Sequence, residues 1–315
     1  MKKTAITLGD PNGISPEITI KALNFLDLPS ENIILIANSK ILNFYEENFD
    51  LYLEKEYEIE EIPYKKENII LGKETEEAGE FAFRALVKAC ELAQNKVIDG
   101  IVTAPVSKNA MKMAGHNYSG QTEILEQYLA NTNQHAEMIF ICENFCVYLL
   151  TRHIALMDVT QYVNKENIIN KVKYLHSCMQ NQLHIENPKY AICSLNPHAS
   201  EQGMFGFEEN QEIIPAIEKL SSSGINIEGP YPSDSLFCNA YKGLYDYNCY
   251  IAMYHDQGLI PIKLMEKSVC VNTTIGLDIL RTSPAHGTAF DIAGKNIANA
   301  NSMIEAIKIA INQRR

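Results

Sequence analysis

The 315-residue sequence has no tryptophan and no run of the roughly 18–20 apolar residues that a membrane-spanning helix needs. Met1-Lys2-Lys3 leads into only a short apolar run before Asp10 and Pro11, too short for a signal peptide. A soluble, cytoplasmic chain is expected. Sixteen glycines and 12 prolines, with 21% charged residues, exclude collagen-like and disordered classes. Positive charge is scarce: 27 basic residues face 39 acidic ones, for a net charge of −12. The adjacent basic pairs are Lys2-Lys3, Lys65-Lys66 and Arg314-Arg315. A field of this sign repels nucleic acid and anionic membrane, which excludes both as partners. An anionic small substrate would need a locally positive pocket. The eight cysteines are scattered singly, and the closest pair, Cys142 and Cys146, lacks the second pair of a zinc knuckle. They read as buried, reduced thiols. No GxGxxG occurs, so the Rossmann fingerprint is missing.

What is present is length and patterning. Hydrophobic residues make up 46%, enough for one large core or two moderate ones. Strand-like runs at 4–8, 32–36, 97–102, 138–141, 145–150, 191–195, 250–253 and 270–273 alternate with helical patterns. The helical patterns cover 40–47, 74–94, 165–182, 208–221 and 299–313. The first turn, Gly9-Asp10-Pro11-Asn12-Gly13, is a cluster of breakers, and Ser15 before Pro16 reads as an N-cap. The segment 51–68 reads as strand fragments and loop. Such alternation indicates an α/β fold with a largely parallel sheet, in which ligands gather at the carboxyl ends of strands.

Three of the eight histidines follow strand-like runs directly: His153, His198 and His255. Three neutral imidazoles at strand ends can converge on one divalent cation. Their separations of 45 and 57 residues match no local metal motif, so by spacing alone they are equally ordinary polar residues. Anion donors form a second group. Lys108 follows Ser107, a cap for a helix at 109–114, and Gly120-Gln121-Thr122-Glu123 opens another helix. Lys263, Asn272 and Arg281 sit on or beside late strands. In the run His286 to Lys295, a glycine just after histidine permits close ligand approach.

These blocks carry a resemblance. Gly9 to Glu17, Ala104-Pro105-Val106-Ser107-Lys108, Asn196-Pro197-His198-Ala199, Ala252 to Gly258 and Arg281-Thr282-Ser283-Pro284 are similar to blocks of the 4-hydroxythreonine-4-phosphate dehydrogenase family, and span nearly the whole chain. The run from His286 to Gly294 is also similar to the NAD loop of isopropylmalate dehydrogenases. The resemblance implies an isocitrate/isopropylmalate dehydrogenase-like α/β fold of two lobes with an active-site cleft between them. The expected lobes are 1–120 plus 285–315, and 121–284 with most metal and substrate residues. It implies a homodimer with a divalent cation (zinc, magnesium, cobalt or manganese) on His153, His198 and His255, one ligand coming across the dimer interface. Substrate falls to Gln121, Thr122, Lys263, Asn272 and Arg281, and catalysis to Asp256, Asp234 and Lys263. NAD or NADP falls to His286, Gly287, Thr288, Asp291, Gly294 and Asn299.

The implied reaction is oxidation of 4-phosphohydroxy-L-threonine to a β-keto acid, which decarboxylates to 3-amino-2-oxopropyl phosphate, in pyridoxine 5'-phosphate (vitamin B6) biosynthesis. Two alternatives remain. One is a sibling dehydrogenase of phosphorylated sugar acids such as 4-phosphothreonate or 4-phosphoerythronate. The other is a metal-dependent non-redox binding or acyl-transfer protein. The chain departs from the family pattern at four places. Gln121 stands where histidine is usual, Ala285 where aspartate is, Ser200 where glycine is, and Asp278 where proline is.

Overall fold

The computed structural model describes residues 3–142, 145–264 and 269–312. The chain opens with β1 (Lys3–Thr7), α1 (Ser15–Phe25), β2 (Ile33–Ala37), α2 (Ser39–Phe49), β3 (Glu58–Glu61), α3 (Glu76–Gln94), β4 (Ile98–Thr103), α4 (Lys108–Met113) and α5 (Gln121–Leu129). It continues through β5 (Glu137–Cys142), β6 (Phe145–Leu149), α6 (Val159–Tyr162), α7 (Lys165–Asn181), β7 (Lys189–Cys193), α8 (Ile214–Ser222), β8 (Asn226–Tyr231), α9 (Ser233–Tyr241), β9 (Cys249–Ala252) and α10 (His255–Leu264). It ends with β10 (Cys270–Ile275), β11 (Leu280–Pro284) and α11 (Asn301–Asn312). Gln313, the last residue of the expected terminal helix, lies outside the described residues, as do Lys2 and the Arg314-Arg315 pair.

Two compact units result, residues 1–137 with 271–315, and residues 138–270. These bounds correct the expected division at 120/121 and 284/285. Residues 271–284 belong to the first unit because β11 is hydrogen-bonded to β4 in parallel and to β10 in antiparallel fashion, and α5 joins it by packing on α3. Gln121, Thr122, Asn272 and Arg281 therefore sit in the first unit, not the second.

In the first unit the strands run β3-β2-β1-β4-β11-β10. All pairs except β10·β11 are parallel. Every residue of β2 is buried, as expected of a parallel strand covered on both faces. The core gathers Ile6, Leu8, Ile18, Leu35, Phe81, Met303 and Ile307. Tyr45, about 1% exposed, donates its hydroxyl to the Gly13 carbonyl at 3.1 Å, so α2 braces the turn after β1. In the second unit the order is β5-β6-β9-β7-β8, with only β5·β6 antiparallel.

β8, α9, α10 and β11 form outside the strand-like and helical runs of the sequence, and local structure departs from expectation at further points. Ser15 is the first residue of α1 rather than its cap, because its hydroxyl donates to the Pro105 carbonyl at 2.7 Å. The helix expected at 208–221 begins as a π-helical turn, Glu209–Ile213, before α8. Lys263 lies in α10 and not beside a strand. The helix after Gly120 begins at Gln121. Ser107 does cap α4, its side chain accepting from the Ala110 N–H at 3.0 Å. All eight cysteines are free, and all but Cys238 are buried. Among the described residues no helix is long and apolar enough to cross a membrane.

Candidate active site

Arg281, on β11, is only 2% exposed. Its Nε and Nη2 donate to Thr103 Oγ1 at 2.9 and 2.6 Å, and its Nη1 to Thr274 Oγ1 at 3.3 Å. Among the described residues no carboxylate is ion-paired with this guanidinium. Burial pulls its pKa down to about 9, and the charge of Glu123 opposes the shift only partly. The group stays cationic at neutral pH, dry and short of counter-charge, which is the condition an anionic ligand relieves.

The surroundings suit that ligand. Thr122, in the first turn of α5, places Oγ1 3.5 Å from Thr274 Oγ1. Gly120 gives α5 no side-chain cap, so the N–H groups of its first turn have no partner from a cap, and Lys108 stands beside that glycine together with the Glu123 carboxylate. Gln121 donates Nε2 to the Ala104 carbonyl at 3.3 Å, which fixes the amide orientation. Its Oε1 is then a buried acceptor with no partner among the described residues. Asn272 is half-buried on β10.

The proposed cofactor residues also lie in the first unit, on the loop between β11 and α11. The Ile14 N–H donates to the Thr288 carbonyl at 2.9 Å, and a Cβ on Gly13 would come within 2.7 Å of that carbonyl oxygen. Only glycine allows this approach. Gly287 has open space around its missing Cβ, room for a ligand at the backbone. His286 and Asp291 are exposed, with His286 Nδ1 3.0 Å from the Gly287 carbonyl. Gly294, at φ 75°, packs near Leu71 and Phe49. Asn299 Oδ1 accepts from the Asn301 N–H at 2.8 Å at the head of α11. An open glycine on a loop anchored at both ends fits a dinucleotide's approach.

Two tertiary supports escaped the sequence reading, Glu17 for this loop and Asn12 for the segment 70–75 beside the first turn. Glu17, 1% exposed, accepts from the Ala298 N–H at 2.7 Å and from Lys21 Nζ at 2.6 Å. Asn12 is the other. It takes the Ile70 N–H on Oδ1 at 2.8 Å and donates Nδ2 to the Lys73 carbonyl and Thr75 Oγ1. Both sit in polar positions of the first turn and helix, where only the tertiary partners reveal a role.

Asp10 in that turn is fully buried. Its Oδ1 accepts from the Asn12 N–H at 2.9 Å, while Oδ2 has no partner among the described residues. Burial, reinforced by the charge of Glu74, pushes its pKa up to about 6. Because the folded-state value lies above the unfolded one of 3.8, the carboxylate's contribution to stability falls as pH rises from 3.8 to about 6 and is level beyond. Asp10→Asn removes the dependence. Between pH 4 and pH 7 the variant should gain roughly 2 kcal/mol on the parent, read from urea melts at the two pH values. Parallel pH profiles would show that Asp10 is not the responsible group.

The second unit holds His153, His198 and His255. The His153 and His255 ring centroids are 5.8 Å apart, and both residues line a cavity of about 360 Å³ with Thr151, Tyr254 and Asp256. His255 Nδ1 lies 2.7 Å from Asp256 Oδ1, a contact that leaves Nε2 for a ligand. Neutral imidazoles oriented by a carboxylate are the donor chemistry of a transition-metal site, so these two fit a divalent cation. His198 does not join them within the chain. Among the described residues no three His, Cys, Asp or Glu side chains are grouped to hold a metal ion. His198 instead begins a turn of five consecutive non-glycine residues, His198 to Gln202, with φ between 46 and 63°. Left-handed backbone costs roughly 1–2 kcal/mol per such residue.

Asp234 and Asp256 both line a separate groove of about 590 Å³ with Phe237, Tyr241, Tyr254 and Ile260. Lys263, exposed on α10, lies close enough for its charge to act on the Cys270 thiol.

The chain matches the family described as pyridoxal phosphate biosynthetic protein PdxA over residues 3–310. It belongs to the PdxA family. Among its relatives, the 4-hydroxythreonine-4-phosphate dehydrogenase of Sulfurihydrogenibium sp. is 40% identical, with 100% of this chain and 99% of that protein covered. The D-threonate 4-phosphate dehydrogenase of Cupriavidus necator is 36% identical, covering 96% and 94%. The solved 4-hydroxythreonine-4-phosphate dehydrogenase of Klebsiella pneumoniae superposes with a TM-score of 0.85 at 32% identity, each chain fully covered. This PdxA family member is an oxidoreductase of the dehydrogenase type with their α/β fold. The non-redox alternative falls.

Two of the departures from the PdxA pattern acquire partners in the fold. Ser200 takes φ 63°, where glycine would be unstrained, and its Oγ accepts from the Gly203 N–H at 3.2 Å. Asp278 accepts from the side chains of Asn131 and Gln134. Nothing in the structure explains Ala285.

Proposed function

We propose that the chain oxidises 4-phosphohydroxy-L-threonine with NAD or NADP and one divalent cation, in pyridoxine 5'-phosphate biosynthesis in the cytoplasm. Arg281 carries the reading: a guanidinium this deeply buried, bonded to threonine hydroxyls and to no carboxylate among the described residues, is a receptor for an anion. Thr122, Asn272 and Arg281, with the open start of α5, hold the substrate's anionic groups, and Lys263 adds a cation on α10. The loop from His286 to Asn299 receives the nicotinamide cofactor.

Hydride leaves the carbinol carbon for the nicotinamide ring, the hydroxyl proton passes to a base, and a ketone forms. The carboxylate is then β to that ketone. Its bond to the chain breaks, CO₂ departs, and the electron pair enters the carbonyl system. A proton added at the vacated carbon gives 3-amino-2-oxopropyl phosphate. A zinc, magnesium, cobalt or manganese ion, when bound, would acidify the hydroxyl and polarise the ketone. His153 and His255 supply two of its ligands, and Asp256 orients the His255 ring. His198 is the third ligand in this reading, and the shared site requires a homodimer. Asp234 and Lys263 then remain the side chains for proton transfer.

The dimer has a surface to use. Around the 590 Å³ groove Tyr241, Ile260 and Leu264 are 67%, 55% and 76% exposed, an apolar patch of the kind that interfaces cover. Ile260→Asp is expected to turn a dimer into a monomer by sedimentation velocity. A variant that stays dimeric would move the interface elsewhere.

A second reading, oxidation of phosphorylated sugar acids, is compatible with Gln121. Its unpartnered Oε1 accepts a hydrogen bond from a hydroxyl as readily as from an ammonium. The deciding experiment compares kcat/KM for 4-phosphohydroxy-L-threonine with that for 4-phosphothreonate and 4-phosphoerythronate. Reduced nicotinamide is followed before and after chelation and metal add-back. Turnover of the amino acid, abolished by chelator and restored by metal, supports the first reading. Turnover only of the sugar acids supports the second.

A further inference from the structure

Two carboxylates hold the end of β7 where the chain enters the left-handed turn. Glu209 is fully buried. Its Oε1 accepts from the Leu195 and Asn196 N–H groups at 2.9 and 2.8 Å, and its Oε2 accepts from Asn196 Nδ2 at 2.9 Å. Glu208 Oε2 accepts from the same Nδ2 at 2.8 Å and from the Phe207 N–H at 3.0 Å. Ser194 donates Oγ to the Asn196 carbonyl at 2.9 Å. Apart from the Phe207 contact, these bonds converge on Leu195 and Asn196, the two residues that precede Pro197 and His198.

Backbone in this region persists only where its neighbours over-determine it. The clamp supplies that determination at the turn's entry, and Ser200 Oγ, accepting from Gly203, closes its far end. A buried carboxylate with no ion-paired cation among the described residues, its lone pairs spent on one strand end, would be a poor use of charge for stability alone. We infer that Glu209 is the positioning residue for His198: it fixes the strand end and thereby the direction in which the imidazole is presented. The inference rests on the reading of His198 as a cation ligand. It adds a residue from a different element, the π-helical turn at Glu209–Ile213, to the machinery of that ligand.

Glu209→Gln keeps the shape but puts an N–H donor where the strand end offers only donors. In the full-length, metal-free protein, amide exchange over residues 195–203 should quicken while α7 stays protected. Cobalt affinity by titration calorimetry should fall by about 10–100-fold, the usual loss when the outer partner of a ligand is removed. A purely structural role would lower the melting temperature without changing cobalt affinity in the folded protein, and that result overturns the inference. His198→Ala separates the two claims. If it binds cobalt like the parent, the ligand reading fails and the inference with it. If it loses cobalt while Glu209→Gln does not, only the inference fails. Should Glu209→Gln not fold, Glu208→Gln takes its place, because it weakens the same clamp from a less buried position. A smaller loss of cobalt affinity supports the role, and parental affinity overturns it.

Discussion

Arg281→Met is expected to raise KM for the phosphorylated substrate about 100-fold or more, as the loss of charge-assisted hydrogen bonds would. The same change should leave the protein at least as stable as the parent. Burial that lowers the guanidinium pKa from 12.5 to about 9 corresponds to a cost on the order of 5 kcal/mol at neutral pH. The cost is fully present below pH 9 and is relieved as pH rises toward the unfolded value. Methionine fills similar volume without charge, and such replacements of buried ionic groups are often neutral or stabilising. What it gives up is the hydrogen bonding to Thr103 and Thr274, whose hydroxyls can turn to other partners. Steady-state kinetics and calorimetric melts of the two proteins test both halves. A strongly destabilised variant with unchanged KM would make Arg281 a structural residue and remove the observation that carries the proposed substrate.

His255→Ala should lower cobalt affinity by more than the 10–100-fold typical of an outer partner, and turnover should fall with it. The variant loses one of two imidazoles that share a cavity, so the ion keeps at most one donor from that pair. Asp256→Asn supplies the comparison. An amide no longer offers a charged acceptor to His255 Nδ1, the ring is held less firmly, and the loss should stay within the range for an outer partner. Calorimetric titration of the metal-free proteins reads both. Equal, small losses in the two variants would mean that His255 does not ligate the cation.

Much of the site was legible as residue types in order. The breaker cluster at Gly9–Gly13, the serine cap at Ser107 and the uncapped helix start at Gly120 are local features, and local propensity determines them. The anion donors were legible too, since cations and helix starts in an acidic chain stand out against their background. Glu209, Glu17 and Asn12 were not. Each looks like an ordinary polar residue, and its role exists only through partners 13 to 281 residues away.

By itself the sequence determined the alternation of strands and helices, because buried parallel strands need continuous apolar runs and amphipathic helices need a period near 3.6. It also determined which side chains were available for anion and metal chemistry. The tertiary structure decided where the chain divides, because the hydrogen bonds of β11 to β4 draw residues 271–284 into the first unit despite their sequence distance. It decided as well that Arg281 is dry and, among the described residues, has no ion-paired carboxylate, and that His153 lies beside His255 while His198 is not grouped with them. Burial and proximity are sums over residues far apart in the chain, and no local pattern encodes them.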